Sequence, residues 1–272
     1  MSAAKRKHSV QIKKGAHQVN PSGKPIGDPP VGPPAGPPAA SGFYCPFGYE
    51  PGDCKVAWMR PRALDLFCRE GGVSMGLYLA GFDVVGVDIE RFARYPFPFF
   101  QADAIAFVER FGAAFDFIWA SPPCQAYSET QKLQGNEHPD LITPLRPLLE
   151  ATGRPYVIEN VKGAPLVEPV MLCGAMFPGL RTYRHRLFET NWGLHQPNHP
   201  EHVAPQTKMG RPPKDGEFIH VVGNFSGADA GRDAMGMPWA TRDGLREAIP
   251  PEYAEWIGAQ FLIREEALRD AA

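Results

Sequence analysis

No apolar run in this chain approaches the roughly 18 residues needed to cross a bilayer, and no signal-peptide pattern opens it. A membrane span and a secretory route are therefore not expected; a cytoplasmic location is. Charge of one sign is missing too, with 28 Lys and Arg against 30 Asp and Glu and a formal net charge of −2. Any contact with nucleic acid must then come from a local patch rather than from the whole surface. Cysteine is sparse. Five residues, at 45, 54, 68, 124 and 173, are an odd number and too scattered for a disulfide framework, which points to reduced thiols. Cys45 and Cys54 in "YCPFGYEPGDC" could be half a metal site, but no matching second pair follows, and no metal is expected. Internal repeats are absent, and no Lys-Ser/Thr pair follows a glycine-rich turn, which removes a P-loop.

What is present is a 43% hydrophobic and 21% charged chain of 272 residues, the balance of a soluble globular protein able to bury a sizeable core. Residues 1–44 differ from the rest. A basic run, "AKRKHSVQIKK", leads into a Pro/Gly tract with eight prolines before residue 40. Such a segment buries too little apolar surface to offset its ordering entropy and is expected to be disordered. Its basic run is either a solvated tail or a phosphate contact. From Arg62 onward, strand-like runs alternate with helical stretches: "RALDLF", helix "VSMGLYLAGF", "DVVGVDI", a helical opening "ERFARY", "FDFIWAS" and "PYVIENV". This alternation predicts an α/β fold, a Rossmann-like parallel sheet with helices on both faces and ligands at the strands' carboxyl ends. Residues 191–215, rich in His, Pro and Lys, read as a long loop or small irregular lobe. "PPEYAEWIGAQFLIREEAL" reads as a closing helix with prolines at its first turn.

Chemistry-bearing residues fall at that carboxyl edge. "DLFCREGG" ends a strand in an Asp-Leu-Phe triple before a Gly-Gly turn, which lets a nucleotide-like ligand approach the backbone; a plain strand–helix turn is the other reading. Asp88 ends the next strand, 23 residues beyond Asp65, at the spacing that serves ribose hydroxyls. Asp103, in "FQADA", ends a further strand-like run and suits an adenine amino group. In "SPPCQAY", Cys124 follows a buried strand and two prolines, and local sequence leaves it open between a reactive thiol and a structural one. Glu159 ends the apolar run "PYVIEN", where partial desolvation would raise its pKa and let the neutral acid donate to a ring nitrogen; a solvated strand-end carboxylate is the alternative. Arg184 and Arg186 alternate along "RTYRHRLFET", so two guanidinium forks would share one strand face, suited to a carbonyl oxygen or a phosphate.

Taken in order, these motifs resemble the cytosine-5 DNA methyltransferase family over about residues 64–261. "DLFCREGGVSMGLYLAGF" is similar to its cofactor loop and "VGVDIE" to its ribose-binding strand end. "SPPCQ", "ENV" and "YRHR" are similar to its nucleophile, acid and Arg-x-Arg motifs. The resemblance implies S-adenosylmethionine as methyl donor, with Asp65, Phe67, Gly71 and Gly72 round its methionine part, Asp88 on the ribose, and Ile89 and Asp103 at the adenine. It implies Cys124 as nucleophile at cytosine carbon 6, Glu159 on ring nitrogen 3 and the exocyclic amine, Arg186 on the ring carbonyl with Arg184 in support, and a base flipped from double-stranded DNA. The short chain resembles phage or mobile-element members, with a restriction–modification setting.

The resemblance also marks departures: Arg69 and Thr182 stand where the family usually has Gly and Gln, and Glu247 falls near an expected Asn. The expected organisation is a tail at 1–44, a catalytic domain at 60–190, a minimal recognition lobe at 191–231 and a completing C-terminal helix at 232–272, most simply a monomer. In the lobe, "KMGRPPK" offers a minor-groove arginine or phosphate contacts from Lys208, Arg211 and Lys214. Three rival functions stay open at this point: an amino-methyltransferase, an RNA cytosine-5 methyltransferase and a catalytically silent DNA-binding protein.

Overall fold

The computed structural model describes residues 60–127, 138–208, 211–225 and 227–271. The expected tail, Cys45, Cys54 and the middle of "KMGRPPK" (209–210) lie outside these. The sheet has seven strands: β1 (Arg62–Leu66), β2 (Asp83–Asp88), β3 (Phe99–Gln101), β4 (Phe117–Ala120), β5 (Tyr156–Asn160), β6 (Val170–Leu172) and β7 (Arg186–Thr190). Their spatial order is β3-β2-β1-β4-β5-β7-β6. The helices are α1 (Gly72–Ala80), α2 (Ala104–Phe111), α3 (Ile142–Ala151), α4 (Ala228–Met235), α5 (Arg242–Glu247) and α6 (Pro251–Asp270). No helix among the described residues is long and apolar enough to cross a membrane.

The central strands are apolar on both faces because both are covered. Ala63, Val84, Phe117, Trp119, Val157 and Phe188 turn to one side and form a core with Leu77 of α1 and Tyr253, Ile257 and Phe261 of α6. The alternate residues Leu64, Ile118 and Ile158 are equally buried and face the other way. On that side Ile118 meets Val108 and Thr152 around Gly112. Helix α6 starts with Pro251 at its first position, where a missing N–H costs nothing. It crosses α1 so closely that a Cβ on Gly76 would lie 2.1 Å from the Pro251 carbonyl and 2.7 Å from the Glu255 nitrogen. A second core joins Ile219, Val221 and Phe225 to Met235, Met237, Leu245 and Ala248.

Four expectations change. β1 to β5 are parallel, as the alternation predicts, but β7 runs antiparallel to β5 and to β6. Residues 173–185 hold only a one-turn 3-10 segment, Gly174–Met176, so no crossover helix exists to return the chain in the parallel sense. "ERFARY" is not helical: Pro96 and Pro98 follow at once and bar the α conformation from the residues before them. Asp103 does not end β3; it caps α2, accepting the Ala106 N–H at 2.9 Å. Finally, β7 begins only at Arg186, and Arg184 has φ 24°, so the two arginines are not alternate residues of one strand.

Candidate active site

Cys124 sits at the carboxyl end of β4, past Pro122 and Pro123, where it opens a one-turn 3-10 segment and stays half-buried. Its loop is tied from below. The Asn160 side-chain amide, at the end of β5, donates to the Pro122 carbonyl at 2.9 Å, and its Oδ1 accepts the Val161 N–H. Glu159, its neighbour, is almost fully buried, and the Nε of Arg186 lies 3.1 Å from its Oε1. Burial pushes the Glu159 carboxyl up, opposed by Arg186, Arg184 and a hydrogen bond from Ser121. Burial likewise raises the Cys124 thiol, with Arg186 the strongest influence in the other direction and Glu159 reinforcing the rise. Cys124, Glu159 and Arg186 thus share one electrostatic environment although their motifs are spread over three strands.

Arg184 plays a different part from its partner. Its Nη1 donates to the Val221 carbonyl at 2.8 Å and its Nη2 to the Arg246 carbonyl at 2.7 Å, while Tyr253 Oη donates to its own carbonyl at 3.0 Å. Burial, with Arg186 beside it, pulls this guanidinium down to about 9. Arg184 ties the 219–225 segment and α5 to the backbone that leads into β7. A cavity of about 280 Å³ opens against Thr182, Arg184, Arg186 and His220.

At the ends of β1 and β2 the second group assembles. Asp65 is fully enclosed, accepts a hydrogen bond from Ser74 Oγ, and leaves Oδ1 buried without a partner. Burial carries its pKa up to about 7. Asp88 accepts the Arg69 N–H and the Glu90 N–H, each at 3.1 Å, which leaves each oxygen a free lone pair. Ile89 stands 61% exposed beside it, an apolar surface at the sheet edge. Phe67 and Arg69 hold left-handed backbone (φ 61° and 49°), as does Gly71 at 82°. The two glycines meet protein: a Cβ on Gly71 would touch the Tyr95 ring at 3.0 Å, and one on Gly72 would lie 2.3 Å from the Ile249 carbonyl.

The departures Arg69 and Glu247 pair with each other in a salt bridge, and the Arg69 guanidinium also lies 4.8 Å over the Phe92 ring. Thr182, the third departure, is buried with its carbonyl against Gly174. Arg211 is engaged with Glu217 rather than presented freely, while Lys208 and Lys214 are exposed. Sequence reasoning missed Ser74, Tyr95, Ser121 and Asn160, which support the site residues. It also missed Glu70, whose carboxylate accepts from the Thr241 N–H and hydroxyl at 2.7 and 2.6 Å. Asn160 alone carried a usable signal, as the residue after Glu159 in a buried run. Four side chains of types able to hold a metal ion also converge among the described residues: Cys173, His185, His199 and His202.

The donor set of the β1–β2 edge fits S-adenosylmethionine: one buried acceptor without a partner, a carboxylate with free lone pairs, and an apolar ledge. Residues 62–165 match the family described as C-5 cytosine-specific DNA methylase. A prophage-encoded E. coli protein described as a DNA modification methyltransferase shares the fold, with a TM-score of 0.53 at 14% identity over 74% of this chain and 98% of that one. A Spodoptera frugiperda DNMT2 mutant aligns with a TM-score of 0.38 at 19% identity, covering 51% of this chain and 54% of its own. The S. pombe Dnmt2 methyltransferase aligns with 0.36 at 17%, covering 48% and 49%. No curated protein matches the chain.

Proposed function

We propose that this chain transfers a methyl group from S-adenosylmethionine to carbon 5 of cytosine in duplex DNA, through a covalent adduct on Cys124 and a base turned out of the helix. Residues 62–165 match the C-5 cytosine-specific DNA methylase family, and that match supports methylation at carbon 5 of cytosine. The observation that supports the residue roles is the convergence of Cys124, Glu159 and Arg186, with the Glu159–Arg186 contact at 3.1 Å.

Carbon 5 of cytosine is a weak nucleophile. Addition of the Cys124 thiolate to carbon 6 breaks the 5,6 double bond and moves its electron pair toward carbon 5 and ring nitrogen 3. Glu159, its neutral form favoured by burial, donates to that nitrogen as charge builds and accepts from the exocyclic amine. Arg186 donates to the ring carbonyl oxygen, and Arg184 positions it through its bonds to the Val221 and Arg246 carbonyls. Asp65, Phe67, Gly71 and Gly72 hold the methionine part of the donor, Asp88 the ribose, and Ile89 and Asp103 the adenine. The donor supplies an electrophilic methyl group on a sulfonium. Once carbon 5 carries the methyl, loss of its proton restores the double bond and expels the Cys124 thiolate. Duplex stacking hides the target atom, so the base is extruded at a cost of about a few kcal/mol.

The test is to incubate the full chain with labelled S-adenosylmethionine and duplex DNA and to map the label. Label at carbon 5, abolished by Cys124→Ala, is expected. Label on the exocyclic amine, label only on RNA, or none from correctly folded protein would each overturn the proposal.

A further inference from the structure

We propose that Cys173, His185, His199 and His202 bind one structural zinc ion that staples the irregular segment after β7 to the catalytic sheet. Their four donor atoms all lie within 4.8 Å of one another. Two pairs are closer still: Cys173 Sγ to His202 Nε2 at 3.2 Å, and His185 Nε2 to His199 Nε2 at 3.1 Å. A tetrahedral ion with Zn–N near 2.0–2.1 Å and Zn–S near 2.3 Å needs ligand–ligand edges of about 3.3–3.7 Å. The side chains therefore stand close to the required spacing already. Coordination requires the wider separations, none above 4.8 Å, to close to that edge.

Donor chemistry selects the ion. One thiolate and three imidazoles, with no carboxylate in the set, suit a borderline-soft divalent metal, and the four protein ligands make a closed site of the structural kind. Magnesium and calcium, which want oxygen ligands, are excluded.

Position explains what the ion would do. Cys173 directly follows β6 and His185 directly precedes β7, whereas His199 and His202 come from the segment beyond β7. Among its described residues that segment forms no helix or strand up to α4, only the bridge between Gln206 and Phe218. A stretch so poor in backbone pairing needs another fastening. The first half of the site is held by protein contacts alone. The Gly174 N–H donates to the Tyr183 carbonyl at 2.9 Å, and a Cβ on Gly174 would fall 1.7 Å from the Thr182 carbonyl, so only glycine lets Cys173 approach here. Tyr183 then stacks on the His202 ring at 3.7 Å and 11° and donates its hydroxyl to the Ala204 carbonyl at 2.7 Å.

A consequence reaches the active site. His185 lies between Arg184 and Arg186, and its carbonyl accepts from Arg186 Nη1 at 2.8 Å. Fixing His185 on an ion fixes the backbone that aims Arg186, with His185 and His202 both lining the cavity against it. The site is inferred from its own donors and stands apart from the methyl-transfer proposal.

The experiment uses untagged full chain. Metal is measured by elemental analysis, then exchanged for cobalt and read by absorption. One zinc per chain is expected, with visible bands of tetrahedral cobalt and a near-ultraviolet thiolate-to-cobalt band. Cys173→Ser should lose the thiolate band, and His199→Asn, at an exposed position, should weaken binding at least tenfold. His195→Ala, and Cys45→Ser with Cys54→Ser, should leave both unchanged. Chelation should speed proteolytic cleavage within 191–205 while β1–β5 stay protected. Substoichiometric zinc with no cobalt spectrum from folded protein would overturn the proposal. So would full binding in both Cys173→Ser and His199→Asn. Metal content is read without methyl transfer, so a zinc-loaded chain that fails to methylate DNA would remove the functional proposal and leave the zinc site standing.

Discussion

Changing Asn160 to aspartate keeps the shape of the side chain and removes its N–H₂ donor, which makes it a clean probe of what holds the Cys124 loop. Asn160 is 1% exposed, and its Nδ2 is bound to the Pro122 carbonyl at 2.9 Å, two residues before Cys124. In Asn160→Asp that carbonyl faces a second acceptor in a buried setting. Leaving such a group unsatisfied costs about 1–3 kcal/mol. For a folded unit of this size the loss lowers Tm by roughly 2–12 °C, at about 2–4 °C per kcal/mol. Activity should fall further than stability implies, because displacing a reacting group by about 1 Å costs on the order of 100-fold in rate. The assay pairs thermal unfolding with single-turnover methyl transfer at a temperature where the variant remains folded. A kcat loss of about that size with unchanged KM for DNA and donor is expected, and Asn160→Ala should reproduce it. A variant that melts early yet transfers methyl at the wild-type rate would show the bond to be structural only, refuting its positioning role.

Two further perturbations probe the frame. Gly76→Ala should destabilise by about 1–3 kcal/mol in urea unfolding, because its Cβ would meet the Pro251 carbonyl at 2.1 Å and force α1 from α6; an unchanged midpoint would contradict the close crossing. Asp65 should make stability pH-dependent. Its folded pKa of about 7 exceeds the ordinary 3.8, so its contribution is fully present below about 3.8 and is lost as pH rises through about 7. The span of about 3 units at 1.36 kcal/mol each is on the order of 4 kcal/mol. Unfolding free energies of wild type and Asp65→Asn across that range should diverge with pH, and a constant difference would clear Asp65 as the titrating group.

The sheet core was legible because β1, β2, β4 and β5 are dominated by apolar residues on both faces, the mark of strands covered on both sides. Asp88 ends its strand, Asp65 and Glu159 lie one residue inside theirs and Cys124 lies just beyond β4, near where chain alternation alone placed them. The antiparallel return of β7 was not legible, since nothing in "RTYRHRLFET" reports the missing crossover helix. Arg184 and Arg186 read as equivalent by alternation, yet the kink at φ 24° sends one to backbone carbonyls and leaves the other on Glu159. Arg69 and Glu247 each stood out as a departure, but their pairing depends on α5 folding back onto the β1–α1 turn. The histidines escaped because Cys173, His185, His199 and His202 lack the short paired spacing of a zinc finger. Only His199-x-x-His202 hinted at ligands.

In the proposed mechanism the sulfur of Cys124 bonds to an extruded cytosine during turnover. Duplex DNA with 5-fluorocytosine, incubated with the full chain and S-adenosylmethionine, tests it most directly. After methyl transfer, fluorine replaces the proton that must leave carbon 5, so the adduct cannot resolve. A stable protein–DNA species that survives denaturation, maps to Cys124 by peptide sequencing and disappears in Cys124→Ala is the expected result. Methylation of unmodified cytosine by the same preparation, with no trapped species on the fluorinated duplex, would contradict the claim.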